Sequence, residues 1–446
     1  MSNACLIALG FLVSMATAAT DSTSKWVGSW STAPQLVETA NMPPSPGLTD
    51  NSLRQIVRLS LGGDTLRLRF TNDFSTSAVT LKAVTIATSK GARLVDATTL
   101  KSLTFKGSPS ATLAASSSLV SDPVAFHATS RMDLAITISF GQSSSTVSGH
   151  PGSRTTSFLL AGDKSTSSDF AGSTATEHWY AINAVDVLAP KSAAAVAILG
   201  NSIADGRGST TDQQNRWPDI LSESLLKNAA TKQVGVLNLG IGGNCVVQSG
   251  GLGPTGFSRF PRDILGQSGV HWLIISEGVN DIGGVTTASG ATSTANNLIT
   301  AYKSMISDAH AKGMKVYGAT IMPFKGNAYY NQYSESCRAT INQWIRTGGF
   351  YDAVIDFDKL TRSASDTTKL SIATYQSDGL HPDATGYKKM GEFIDANLFV
   401  DLTLAIDANR RRAPGNTPSS EASIRSESKS ISVEYGRHLV DGSTAR

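Results

Sequence analysis

At 446 residues the chain is long enough for two or three domains with full-sized cores. A formal charge of +3, with no basic patch interleaved with aromatics, argues against nucleic acid or a membrane surface as the partner. Charged residues make up 16%, against roughly 25% in an average globular protein, and Ser, Thr, Gly and Ala are abundant, a composition that suits an extracellular protein.

The first element is an apolar stretch from Cys5 to Ala19 that ends in the small residues Ala16-Thr17-Ala18-Ala19. It predicts a cleaved signal peptide over residues 1–19 and a secreted, extracellular protein, although the charged n-region is reduced to the terminal amine. The alternative is a buried first strand or helix. No other segment approaches the ~20 apolar residues of a membrane span. Cleavage would leave Cys245 and Cys337, which permits one disulfide or two separate buried thiols. No metal-ligand spacing and no Asn-x-Ser/Thr acceptor is present.

From Trp26 to about Pro190 the pattern has period two and is rich in β-branched residues. Ile56 to Leu61, Gly62-Gly63-Asp64 and Leu66 to Phe70 read as a hairpin. Val79 to Thr88 and Met132 to Phe140 alternate in the same way, so residues 25–190 are expected to form a β-sandwich domain. After Pro190 strand-like runs (Ala193–Gly200, Val234–Gly240, His271–Gly278, Met314–Met322, Ala353–Asp358) alternate with helical ones. The helical segments are Trp217–Ala229, Thr292–Lys312, Ser334–Arg346 and Ala384–Leu398. This predicts a parallel sheet covered on both faces over residues 191–400, with a ligand crevice at the carboxyl ends of its strands. Past residue 405 the Arg- and Ser-rich sequence cannot bury a core, and residues 405–446 read as a disordered tail.

The chemistry-bearing residues fall at those strand ends. Ser202 follows the first strand, and a serine hydroxyl needs a base to attack an ester. His381 can take its proton, and Asp378 can fix the imidazole tautomer, the two sharing one turn of loop. Asp383 suits the N-cap of the closing helix. Gly-x-Ser and Asp-x-x-His are each common in structural turns; their joint occurrence at the first and last strand ends of one domain is specific. Ala204, where Gly-x-Ser-x-Gly would place its second glycine, argues against a nucleophile elbow. Ser202 N–H, Gly243 N–H and the Asn280 amide are candidate oxyanion donors. Taken alone, Asn280 is equally good turn chemistry.

In this order, Gly200-Asn201-Ser202, Gly242-Gly243-Asn244, Gly278-Val279-Asn280-Asp281 and Asp378-Gly379-Leu380-His381-Pro382 resemble the SGNH (GDSL-type) hydrolase family over about residues 193–398. The resemblance implies a flavodoxin-like three-layer αβα catalytic domain and a serine acylhydrolase without a cofactor. It also implies a catalytic triad of Ser202, His381 and Asp378, with an oxyanion hole of Ser202, Gly243 and Asn280. Asn201 stands where the GDSL form has Asp, and is expected to support the loop and tune activity. The β half, with Trp26-Val27-Gly28-Ser29-Trp30 and His150-Pro151-Gly152-Ser153-Arg154, is similar to that of secreted two-domain relatives.

Trp26, Trp30 and Trp179 are read as core residues in preference to sugar-stacking ones. His150 and His178 are read as structural, and Gly206-Arg207-Gly208-Ser209 as a pocket rim rather than a phosphate site. Export and a Ser/Thr-rich composition point to a small ester or acylated carbohydrate as substrate, acetyl needing the least space. The rival readings are a lipase or lysophospholipase, and a non-catalytic glycan-binding protein. The sequence does not give the oligomeric state.

Overall fold

Leu66, Leu68 and Phe70 alternate with Arg67 and Arg69 along Gly63–Thr71, so this strand buries one face and lays its arginines on the other. Asp133–Phe140 is buried on both faces because it is central, between Asn51–Arg58 and Val79–Gly91. The computed structural model describes residues 23–371 and 377–401, all in one compact unit. The expected signal peptide and C-terminal tail lie outside the described residues.

The β-rich part is built on two large antiparallel sheets, with a small third one of Trp179–Tyr180, Ser148–His150 and Gln35–Leu36. One large sheet runs Ser24–Ser31, Ile182–Pro190, Gly63–Thr71, Val124–Ala128. The other has Ser157–Ala161, Asn51–Arg58, Asp133–Phe140 and Val79–Gly91 as its principal strands. The expected hairpin is not formed: Asn51–Arg58 and Gly63–Thr71 join different sheets. The segment between them crosses the sandwich because its amides find partners elsewhere. Leu59 N–H donates to Met132 O, Ser60 N–H to Ser29 O and Gly62 N–H to Ser130 Oγ. A Cβ on Gly62 would lie 2.6 Å from Ala128 O, so close backbone approach, not a hairpin turn, requires glycine there.

Past Pro190 a five-stranded parallel sheet has the order Val234–Gly240, Ala194–Gly200, Val270–Ser276, Lys315–Ala319, Ala353–Ile355. That is the 2-1-3-4-5 order of a doubly wound, flavodoxin-like fold. Every residue of Ala194–Gly200 is buried, as a central parallel strand demands. Trp217–Lys227 packs with Ala384–Phe393, and Ala288–Ala311 with Gln332–Thr347, giving the helical layers. Ala288–Ala311 starts four residues earlier than its apolar period suggests because Thr287 caps it, accepting from Gly290 N–H. The last helix stops at Phe393, and Asp395 caps a separate turn, Ala396–Phe399.

The two parts meet along Ser24–Ser31, which packs against the edge strand Val234–Gly240. Val236 N–H donates to Ser60 Oγ at 2.8 Å and Gly28 N–H to Ser268 O at 2.9 Å. Among the described residues no helix is long and apolar enough to cross a membrane, and no cluster of three or more His, Cys, Asp or Glu is set to hold a metal ion.

Candidate active site

Asn201 leaves Ala194–Gly200 in an extended conformation and caps the short helix Ser202–Asp205, its Oδ1 accepting from Ile203 N–H at 3.0 Å. The cap fixes Ser202 at the carboxyl end of the central strand. Ser202 Oγ lies 2.8 Å from His381 Nε2, and His381 Nδ1 lies 2.6 Å from Asp378 Oδ2. The other Asp378 oxygen accepts from Leu380 and His381 N–H, each at 2.9 Å, so one turn of loop holds both side chains. Asp383 caps the helix that follows, accepting from Gly386 N–H at 2.8 Å.

Burial lowers the His381 pKa below the ordinary histidine value, with Arg207 and Arg154 pushing the same way and the Asp378 carboxylate opposing. Burial would raise Asp378, but hydrogen bonds from the His381 backbone and ring and from Leu380 outweigh it and keep the carboxylate ionised. The pair therefore rests as neutral imidazole beside carboxylate near neutral pH.

Gly243 sits at φ 68°, a left-handed turn that glycine enters without strain. Among the described residues neither Ser202 N–H nor Gly243 N–H has an acceptor. Asn280 Nδ2 donates to Asn244 O at 2.7 Å, while Tyr329 Oη donates to Asn280 Oδ1 at 3.1 Å. That leaves one amide hydrogen for a ligand. Asp281 ties down the facing loop by accepting from Val246, Val247 and Gln248 N–H at 2.7, 2.9 and 3.1 Å. Ser202, Gly243, Asn280 and His381 all line one open cleft of about 360 Å³. The five site residues expected from the sequence are thus brought together.

The far wall of that cleft comes from the β-rich part: Gln35, Glu38, Asn41, Pro151, Arg154 and His178. His150 is not a lone structural histidine. Its Nε2 lies 2.8 Å from Asp205 Oδ1, at the end of the Ser202 helix, and its Nδ1 donates to Ala33 O at 2.9 Å. Arg154 Nη2 reaches the other Asp205 oxygen at 3.2 Å. Gly152 passes so close that any Cβ would overlap the carboxylate. Trp30 and Trp179 meet edge-to-face at 5.0 Å in the core, which leaves neither open to a sugar. Trp26 instead carries the Arg67 guanidinium at 4.5 Å.

Residues 198–389 match the GDSL-like Lipase/Acylhydrolase family. The chain carries a GDSL-like acylhydrolase domain. Its class is carboxylic ester hydrolase. Similar solved structures include a protein assigned to the lipolytic G-D-S-L family from Desulfitobacterium hafniense DCB-2, at 21% identity over 45% of this chain and 96% of that one, TM-score 0.35. A carbohydrate acetylesterase family member from Sinorhizobium meliloti is 15% identical over 46% and 97%, TM-score 0.36. A GDSL-like lipase from Bacteroides thetaiotaomicron VPI-5482 is 19% identical over 48% and 88%, TM-score 0.31. A search of curated proteins gave no match.

The acylhydrolase domain also holds groups that its sequence did not announce. Arg259, fully buried, donates to Leu239 O at 2.7 Å, Gly200 O at 3.0 Å and Asn244 Oδ1 at 3.0 Å. It ties two strand ends to the Gly243 loop from behind. Its charge opposes, without overcoming, the burial that raises the Glu277 carboxyl well above the ordinary range. Cys245 and Cys337 are free and buried, and burial raises their thiols to about 12 and about 11.

Proposed function

We propose that the domain is a secreted serine esterase that removes small O-acyl groups, acetyl above all, from carbohydrate. The observation that carries the mechanism is the hydrogen-bonded chain Ser202–His381–Asp378, whose Ser202 and His381 line an open cleft. Ser202 Oγ attacks the ester carbonyl carbon as its proton passes to His381 Nε2. The C–O bond to the leaving alcohol breaks, and His381 returns that proton to the alkoxide. Water then attacks the acyl-enzyme and loses a proton to His381; the acyl–Oγ bond breaks, His381 returns the proton to Ser202 Oγ, and the acid leaves. Asp378 holds Nδ1–H and offsets the imidazolium charge. Ser202 N–H, Gly243 N–H and Asn280 Nδ2–H receive the oxyanion.

Asn280→Ala lowers kcat by about 10²–10³, the usual effect of one oxyanion donor. Tyr329→Phe keeps the amide but loses one orienting hydrogen bond, about 1 kcal/mol or several-fold. Steady-state rates on p-nitrophenyl acetate for both variants read the difference; equal losses would remove Asn280 from the role of direct donor.

The acetyl preference is supported by the lining of the cleft, where Leu252, Leu380 and Tyr329 are the few large apolar or aromatic side chains among mostly polar and charged groups. Wild-type kcat/KM on p-nitrophenyl acetate exceeds that on the octanoate by about tenfold or more, one acyl-length step being worth roughly 1–3 kcal/mol in a fitted pocket. A preference for octanoate would move the reading to a lipid substrate. Export is supported by the apolar stretch Cys5 to Ala19 and by the low charge content.

A further inference from the structure

The cleft has a polar shelf that the proposed chemistry leaves unused. Glu38 stands on the β-rich wall, its two carboxylate oxygens separately occupied: Gln35 Nε2 donates to Oε1, and Asn41 Nδ2 donates to Oε2 at 3.0 Å. Gln35 is 3% exposed, so a buried amide fixes the carboxylate from beneath. The Asn41 carbonyl accepts from the Tyr180 hydroxyl at 2.7 Å, which anchors the turn to the sandwich core. This is a braced carboxylate facing a ligand space, unlike a solvated surface acid.

On the same β-rich wall, His178 Nδ1–H donates to Pro151 O at 2.7 Å, which fixes Nε2 as an acceptor when the ring is neutral. Arg207 brings a guanidinium whose backbone is anchored to Ser202 O and to the Tyr387 hydroxyl. Arg154 brings a second, one of whose nitrogens is committed to Asp205. Acceptors (Glu38, His178) and donors (Arg207, Arg154, the amides) thus share one space. A ligand group that both donates and accepts satisfies such a mixture, and a hydroxyl does so; a run of hydroxyls on a rigid ring does so repeatedly. An acyl chain would strand these groups without partners.

We infer that Gln35, Glu38 and Asn41, with His178 beside them on the β-rich wall and Arg207 from the parallel-sheet part, form the subsite for the alcohol side of the ester and take a polyhydroxylated leaving group, a sugar residue. The inference rests on the esterase reading and adds to it which wall binds the sugar. The β-rich part then supplies substrate recognition while the parallel sheet supplies the chemistry.

The test compares two acetyl esters with different leaving groups: p-nitrophenyl acetate, which has no hydroxyls, and an O-acetylated xylo-oligosaccharide. In Glu38→Gln the ratio of kcat/KM for the oligosaccharide to that for p-nitrophenyl acetate falls about tenfold to a hundredfold, carried mainly by KM, as expected for losing a hydrogen bond to a charged group. Asn41→Ala, which removes one brace, lowers the ratio by a smaller factor and serves if Glu38→Gln does not fold. A ratio within about twofold of wild type in the folded variant overturns the subsite, being far below the loss of a charged hydrogen bond. Ser202→Ala run in parallel keeps the two ideas apart: activity retained there overturns the esterase site itself, whatever Glu38 does.

Discussion

Ser202→Ala lowers kcat for p-nitrophenyl acetate by about 10⁴–10⁶, the range found when a triad nucleophile is removed from a hydrolase. The hydroxyl is the atom that bonds to the acyl carbon, and nothing else in the cleft can replace it. Arg207 and Arg154 are not nucleophiles, and both cysteines are buried with raised pKa values. The residual rate comes from the oxyanion donors, because the substitution keeps the backbone N–H at this position and leaves Gly243 and Asn280 untouched. Stability changes little, since a single buried hydroxyl is lost, about 1 kcal/mol. A melting curve beside the kinetics separates lost chemistry from lost fold. A variant that retains wild-type turnover would take the nucleophile away from Ser202.

Asp378→Asn is the second large effect, a loss of about 10⁴ in kcat, and its cause is tautomeric. One Asp378 oxygen accepts two backbone N–H groups, from Leu380 and His381. An asparagine would keep its carbonyl there and turn its NH₂ toward His381 Nδ1. The ring must then accept at Nδ1 and carry its proton on Nε2, facing Ser202, where it can take no proton from the hydroxyl. The pH profile tests the same geometry. In the wild type, burial with Arg207 and Arg154 places the acid limb of kcat/KM below pH ~6.5, the ordinary histidine value, with activity rising as His381 loses its proton. Asp378 is the group that opposes this lowering, so Asp378→Asn moves the acid limb to still lower pH while the plateau drops. A limb that moved upward would show that Asp378 does not contact the titrating imidazole.

The nucleophile, base and orienter were legible because each is tied to a local pattern. A buried strand must end before Ser202, and Asp-x-x-His closes on itself within one turn. Gly243 and Asn280 were legible on their own only as turn residues; their pairing as a backbone and a side-chain donor followed from the blocks taken together. The parallel sheet itself followed from the alternation of strand-like and helical runs, whereas its strand order was legible only through the flavodoxin-like fold that the family resemblance implies. The hairpin at Gly62 was misread because alternation reports which face of a strand is buried, not which strand it pairs with. Asp205 and His150 were missed for a related reason: they are 55 positions apart in the chain, and neither has a local pattern that requires a partner. Arg259 looks in the sequence like any charged residue of a helical turn. Its role depends on three acceptors contributed by separate strand ends and a loop.

The contact of Ser24–Ser31 with Val234–Gly240 bears on how such enzymes can be rebuilt. The outer rim of the parallel sheet has its Val236 amide satisfied by Ser60, and a Cβ on Gly235 would strike the Gly28 carbonyl. The hydrolase segment is therefore not a portable cassette. Cut at Pro190, it would expose an unpaired, apolar strand margin of the kind that seeds aggregation, and it would release the Asp205 carboxylate from the histidine and arginine that grip it. Chimeras between relatives should keep each sandwich with its own sheet.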